Sequence, residues 1–334
     1  MDPQTQAQPG DESIPEVARH TELLLEAKKE MQRVVVGQDA MLDRLLVALL
    51  ARGHVLLEGV PGLAKTLTVK TLAQVVDLDF QRIQFTPDLL PADLIGTLIY
   101  DQHEQRFVAR KGPVFTQMLL ADEINRAPAK VQSALLEVME ERQVTLGDRT
   151  SVLDEPFMVL ATQNPIEHEG TYPLAEAQID RFMLKLRIGY PERSEEEAIL
   201  DRMLVEQDLT PQPILRRKEL LDLRRVVDGV YLDPRVRAYV LDLVRTTREP
   251  AAHGWRRAAD LIEFGASPRA SLFLARAAKA IALIHSRGFV LPEDVKEMAP
   301  EILRHRLVLT YEAEAEETTS DDLIAELLQR VQVP

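Results

Sequence analysis

The chain has 334 residues, 46% of them hydrophobic, enough to fill one large or two ordinary domain cores. Acidic residues outnumber basic ones 54 to 40, and the formal charge of -14 sets the overall field against nucleic acid and anionic membranes, so any bound anion must be held by a local site. Cysteine is absent, which excludes a disulfide frame and a thiolate metal site and fits a reducing compartment.

The start, MDPQTQAQPGDES, is polar and acidic, without the basic flank and apolar core of a signal peptide. Residues 1–13 are expected to be disordered, ahead of a helix over 14–35 in which Val17, Leu24, Met31 and the stem of Lys28 recur at helical spacing. No apolar run approaches the roughly 18 residues of a membrane-spanning helix; LLVALLARGHVLLEG is interrupted at Arg52, Gly53 and His54. These features predict a soluble cytoplasmic protein without membrane insertion. Over residues 36–190, short apolar runs alternate with amphipathic stretches: HVLLE at 54–58, RIQFT at 82–86, QMLLA at 117–121, PFMVLAT at 156–162 and MLKLRI at 183–188. Strands separated by helices predict an α/β domain with a parallel sheet.

Two inserts interrupt that alternation. TLIYDQHEQRFVARKGPVF reads as a hairpin of Leu98–Tyr100 against Arg106–Val108, and QVTLGDRTSVLDEPF as another that turns at Gly147 and Asp148. From residue 191 to 311 the pattern is helical. Ser194 with Glu197 has capping-box spacing, Asp233 and Pro234 open VRAYVLDLV, and Ser267 and Pro268 open a long helix that Gly288 can end. Residues 312–334 form an acidic segment, EAEAEETTSDD, and a stripe of Leu323, Ile324, Leu327, Leu328 and Val331 that predicts an amphipathic helix docked on the helical domain.

Three stretches carry chemistry. GVPGLAKT at 59–66 lies between the apolar run HVLLE and the amphipathic TLTVKTLAQVV, the strand-loop-helix context of a phosphate-binding loop. Such a loop aims backbone N–H groups at phosphate oxygens, with a helix N-terminus behind them. Lys65 supplies charge to the terminal phosphates and Thr66 a hydroxyl to a phosphate-bound magnesium, while Gly59 and Gly62 let the backbone wrap. Val60, Pro61, Leu63, Ala64 and Leu67 complete the expected nucleotide-contacting segment. Ala64 stands where the pattern asks for Gly, and its methyl is expected to be tolerated only in a right-handed backbone conformation. Alone, the octet also fits a Gly/Pro turn with a surface lysine.

QMLLADEINRA ends a buried strand in Asp122 and Glu123, where ligands sit in open parallel sheets. Asp122 is expected to hold magnesium through water and Glu123 to activate the attacking water. Alone, the pair is the polar start of a loop. PFMVLATQNP delivers Asn164 beyond a strand end, where an amide can orient that water; alone, it is an Asn-Pro turn. Together, the three stretches predict a nucleotide site at which water attacks the terminal phosphate.

With VVGQ at 35–38, LLADEINRA at 119–127, VLATQNPIEHEGTYPLAEAQIDRF at 159–182 and FGASPRASL at 264–272, the chain resembles the AAA+ ATPases, and within them the MoxR family of the helix-2-insert clade, over residues 35 to about 310. MoxR proteins commonly carry Ala before the loop lysine. The resemblance implies a P-loop core with a five-stranded parallel sheet, an all-helical lid domain, ATP and Mg2+ as ligands, and self-assembly into a ring, typically a hexamer. It implies that Val36, Gly37 and Gln38 line the adenine, that Asn164 is a sensor, that Arg181 of IDRF reaches a neighbour's nucleotide, and that Arg269 of GASPRA is a lid sensor. Ser267 and Pro268 independently fix Arg269 in the first turn of a helix, where the dipole disfavours a cation and an anionic partner would compensate.

The hairpin inserts of this clade tend to face the pore or the substrate, although these two also read as ordinary surface hairpins. MoxR proteins act as chaperone-like ATPases that mature or activate client proteins, often beside a von Willebrand factor A domain protein; no residue here names the client. Two alternatives stand beside this reading. A nucleic-acid-translocating motor of the same clade is disfavoured by the acidic balance and by the lack of a basic stripe interleaved with aromatics. A non-hydrolysing, ATP-switched scaffold would not need Asp122, Glu123 and Asn164 together.

Overall fold

The computed structural model describes residues 13–103, 105–165, 170–204 and 209–334, with side chains from residue 19 onward. The expected disordered start, up to residue 12, and the IEHE of the 159–182 motif lie outside the described residues. The chain divides into two compact units, one of residues 29–217 and one that joins 218–334 to residues 13–28. That break differs from the boundary expected near residue 190. Helix Arg193–Met203 stays with the sheet: Arg202 donates to the carbonyls of Gln32 (3.3 Å) and Arg33 (2.8 Å), and the amides of Ile214 and Leu215 donate to Val75 O.

The strands of the first unit, in chain order, are β1 (Val55–Glu58), β2 (Phe80–Gln84), β3 (Gly96–Asp101), β4 (Arg106–Lys111), β5 (Met118–Asp122), β6 (Gln143–Leu146), β7 (Arg149–Val152), β8 (Met158–Gln163) and β9 (Leu184–Arg187). Five of them form a parallel sheet in the order β2-β5-β8-β1-β9. The order reverses beside β1, because the chain leaves β1 for the far edge, returns through β5 and β8, and then crosses β1 to reach β9. A crevice opens at the carboxyl ends of the strands at such a reversal. It receives whatever residues follow β1, β5 and β8, and these are the three stretches singled out above.

Alternation along the strands sends Leu56, Leu119, Ala121, Val159 and Ala161 to one face, where they are buried with Val131, Leu135, Leu136 and Met139 of helix Ala129–Glu141. His54, before β1, joins that layer: the Val159 N–H donates to Nδ1 (2.9 Å), so the ring proton sits on Nε2 and is donated to Met139 O (3.2 Å). The two expected hairpins are present, β3 against β4 with Tyr100 opposite Phe107, and β6 against β7 around Gly147-Asp148.

The second unit is helical apart from one ribbon that the sequence pattern did not suggest, β10 (Ile262–Phe264) antiparallel to β11 (Val308–Leu309). Asp233 and Ser267 cap helices Pro234–Arg248 and Pro268–Ile284 as expected, each side chain accepting from the N–H two residues on. Two other expected signals are displaced. Helix Arg193–Met203 of the first unit starts one residue before Ser194, so Glu192 holds the N-cap and its N–H donates to Glu195 (2.9 Å), while Glu197 pairs with Arg193. Helix Pro268–Ile284 ends before Gly288, because Ser286 takes the left-handed position (φ 59°) that a glycine usually fills.

The tail helix Ser320–Arg330 buries Leu323, Ile324 and Leu327 within this unit, and Glu326 ties it to Trp255 Nε1 (3.2 Å) and to Arg257. Beneath it, Arg287 grips the buried Asp294 through two bonds (2.5 and 2.7 Å), and Asp294 also caps helix Pro292–Leu303 through Leu291 N (2.7 Å). Asp294→Ala strands the guanidinium and is expected to cost about 3–5 kcal/mol in urea unfolding, largely recovered in an Asp294→Ala, Arg287→Met double variant. Among the described residues no helix is long and apolar enough to cross a membrane.

Candidate functional site

The loop after β1 ends at Lys65, the first residue of helix Lys65–Val75. At Gly59 a Cβ would come within 2.8 Å of Ile188 O, so the close approach of the loop to the β9 end demands glycine. Gly62 has φ +88° and open space around its Cα, a conformation and a clearance suited to a bulky anion. Ala64 corrects the expectation of a right-handed conformation: it is left-handed (φ 54°, ψ 18°), and its carbonyl accepts the first helical bond from Thr68 N (2.9 Å). The loop enters the helix through this turn, whatever the residue there, and an alanine bears a penalty of about 1–2 kcal/mol. Ala64→Gly is expected to gain about 0.5–1 kcal/mol net, because unfolded-state entropy returns part of the relief. Chemical denaturation checks this, and a loss of stability would contradict the assigned strain.

A cleft of about 330 Å³ is lined by the loop from Pro61 to Leu67, Asp122, Glu123, Thr162 and Asn164. Alternation along β5 would point Asp122 and Glu123 to opposite faces. Glu123 escapes it by adopting a left-handed backbone (φ 56°), so both acids line the one cleft. Thr162, at the end of β8, fastens them: its hydroxyl donates to Asp122 Oδ1 (2.6 Å) and accepts from Glu123 N (2.7 Å). Lys65 Nζ donates to Gly59 O (2.5 Å). Burial lowers the pKa of its ammonium, against the opposing pull of Asp122 and Glu123.

Edge strand β2 contributes a second row of partners. Arg82 Nη2 donates to Asp122 Oδ2 (2.6 Å) and to Gln84 Oε1 (2.8 Å), and Gln84 Nε2 donates to Glu123 Oε2 (2.7 Å), which also accepts from Arg126 (3.1 Å). Sequence reasoning missed Thr162, Arg82, Gln84 and Arg126. The available signal was RIQ in a strand: polar residues two apart share a face, and β2 lies next to the strand that carries the acids.

A second, more apolar cavity of about 480 Å³ shares Gly62, Ala64 and Leu67 with the first, so the two adjoin at the loop. Val36 lines it, with Thr71 and Gln74 on one side and Ile199, Met203 and Pro211 on the other. An apolar pocket beside an anion cleft suits a flat heterocyclic base attached to phosphates. Of the expected adenine segment only Val36 lines this cavity. Gln38 donates to Gly189 O (3.3 Å), and Gly37 packs against the Glu195 carboxylate. Val60 lines neither cavity.

Arg181 lies apart from the cleft. It lines a separate cavity of about 280 Å³ with Ser133, Glu137, Glu140 and Gln178, pairs with Glu140 (3.1 Å), and buries an Nε without a hydrogen-bond partner among the described residues. Arg269 belongs to the second unit, in the first turn of the helix capped by Ser267.

The donors fit magnesium. Thr66 and Asp122 offer hard oxygen ligands in one cleft, and among the described residues no cluster of three His, Cys, Asp or Glu forms an all-protein cage. Magnesium is ordinarily held in this way, by one or two protein oxygens together with substrate phosphates and water.

A family profile described as "ATPase family associated with various cellular activities (AAA)" matches residues 54–184, and one described as an AAA lid domain matches 256–327. The sheet order, the loop after β1 and these matches define an AAA-type P-loop ATPase with a helical lid. Chaperone MoxR1 of Mycobacterium tuberculosis is 52% identical over 91% of this chain and 81% of its own length; Protein MoxR of Methylorubrum extorquens is 31% identical over 92% and 94%. A crystal structure of a candidate ATPase from Cytophaga hutchinsonii superposes with a TM-score of 0.91, at 50% identity over 96% of this chain and 97% of that one. The chain belongs to the MoxR family of AAA+ ATPases, enzymes that hydrolyse ATP.

Proposed function

We propose that the protein is a ring-forming, chaperone-like machine that uses ATP hydrolysis to remodel, mature or activate client proteins, with a von Willebrand factor A domain protein as its partner. Magnesium, held by Thr66 and Asp122, would neutralise charge on the phosphates. Lys65 binds the terminal phosphates, and the backbone of the 59–66 loop cradles them. Glu123 takes the proton of the attacking water, Asn164 orients that water, and Arg181 of an adjacent subunit stabilises charge in the transition state. Arg269 then senses the nucleotide from the lid.

One observation carries this reading. The phosphate-loop lysine, both acids and Asn164 line a single cleft, whereas Arg181 lies outside it on its own chain with 31% of its side chain exposed, as a group serving another subunit would. Since each site is then shared across an interface, hydrolysis can shift one subunit against the next. Family membership supports the chaperone role, and the relative named Chaperone MoxR1 points the same way. Capture of proteins on immobilised Glu123→Gln protein loaded with MgATP tests the proposal. A von Willebrand factor A domain protein or a client retained with ATP and released with ADP supports it, and equal retention in both states sinks it.

A further inference from the structure

The apolar cavity of about 480 Å³ takes its walls from stretches far apart in sequence, among them residues 34–36, the end of helix Arg193–Met203 and residues 209–211. These three meet at the last turn of helix Ser13–Val34. There Arg33 gives Nε and Nη2 to the Glu30 carboxylate (2.8–3.2 Å) and Nη2 also to Thr210 O (2.6 Å), while Glu30 Oε1 accepts from Gln212 N (2.7 Å). One ion pair thus pins a carbonyl and an amide two residues apart. The bonds from Arg33 hold the Glu30 carboxyl below the usual carboxylate range, against the opposing effect of burial, so the pair is charged at neutral pH. Arg202 adds a second brace, because its bonds to Gln32 O and Arg33 O satisfy carbonyls that a helix leaves without partners at its end. Inside the cavity apolar surface lies bare: Leu67 and Met203 are 43% and 76% exposed.

We propose that Glu30 and Arg33 are positioning residues that hold the 209–211 wall of this cavity, and so set how strongly the site prefers a nucleotide to a bare polyphosphate. The inference rests on the reading of the cavity as the site of the base. The phosphate loop grips through backbone N–H groups and Lys65, contacts that a nucleoside diphosphate and pyrophosphate share. Only the nucleoside tells the two ligands apart, and it does so in the apolar cavity. Thr71 and Gln74, on one side, belong to the helix that the phosphate loop opens, whereas residues 209–211 lie in neither helix nor strand and take their place from bonds to Glu30 and Arg33. Position matters here because a gap of about 0.5–1 Å forfeits roughly a quarter to a half of a dispersion contact. A loosened wall therefore costs base contact and leaves the phosphate grip alone.

The test is calorimetric titration of ADP and of pyrophosphate, in the same magnesium buffer, into wild type, Arg33→Ala and Glu30→Gln. Wild type is expected to bind ADP more tightly than pyrophosphate. Arg33→Ala is expected to weaken ADP roughly three- to tenfold and to leave pyrophosphate within about twofold. Glu30→Gln removes the charge but keeps an oxygen to accept from Gln212 N and Arg33, so a loss of roughly two- to threefold, again for ADP alone, is expected; this variant carries the test if Arg33→Ala does not fold. Equal losses for both ligands, or no loss for ADP, in a folded variant overturn the positioning role while leaving the base in its cavity. If wild type holds ADP no more tightly than pyrophosphate, the reading of the cavity fails and takes this inference with it.

Discussion

Glu123→Gln is expected to lower ATP turnover by about 10²–10⁴-fold, the loss typical of removing a general base, while ATP binding survives. The substitution preserves volume, and the new amide keeps a carbonyl oxygen to accept from Gln84 Nε2 and Arg126 Nη1, so the local hydrogen bonds and the left-handed turn need not change. The proton acceptor is lost. A negative charge near Lys65 is lost as well, and because that charge opposes an incoming polyphosphate, affinity for ATP should hold or rise slightly. Single-turnover phosphate release, paired with a nucleotide-binding titration, separates the two effects. Turnover at the wild-type rate would remove Glu123 from the chemistry.

How much of this site could be read from sequence follows from where its parts lie along the chain. The 59–66 loop and the acids at 122 and 123 are local: each follows an apolar run, and the rule that ligands sit at the carboxyl ends of parallel strands predicts that they meet. The sheet order then brings Asn164 to the same cleft, as the strand pattern implied. Arg82 and Gln84 escaped notice because their role depends on β2 pairing with β5, a contact between residues some 40 positions apart that periodicity does not encode. Ile199, Met203 and Pro211 were hidden for a similar reason. The shift from alternating to helical pattern near residue 190 suggested a new domain, yet helix Arg193–Met203 returns to the sheet through Arg202 and lines the apolar cavity. The backbone at Ala64 was misjudged because intrinsic preference was weighed without the turn: the loop must pass from β1 into a helix within six residues, and that geometry outweighs the cost of one methyl.

Arg181→Ala is expected to lower turnover about 10³-fold or more in the assembled protein, the range for an arginine that stabilises transition-state charge from a neighbouring subunit. Within its own chain Arg181 has a modest role, since the pair with Glu140 joins two partly exposed side chains (31% and 38%) and contributes about 1 kcal/mol at most. A merely structural arginine would therefore leave turnover nearly intact, and the size of the loss discriminates. Mixing offers a sharper readout. Arg181→Ala subunits keep Glu123, and Glu123→Gln subunits keep Arg181, so each preparation alone is inactive by a different route. In a head-to-tail ring of randomly mixed subunits at equal amounts, about a quarter of the interfaces join an intact Glu123 to an intact Arg181. Activity should then return to a sizeable fraction of wild type, a gain that neither variant can make alone. If the mixture stays as inactive as its parts while the variants are seen to co-assemble, Arg181 does not act across the interface. If Arg181→Ala alone retains the full rate, its contact with Glu140 is the whole of its function.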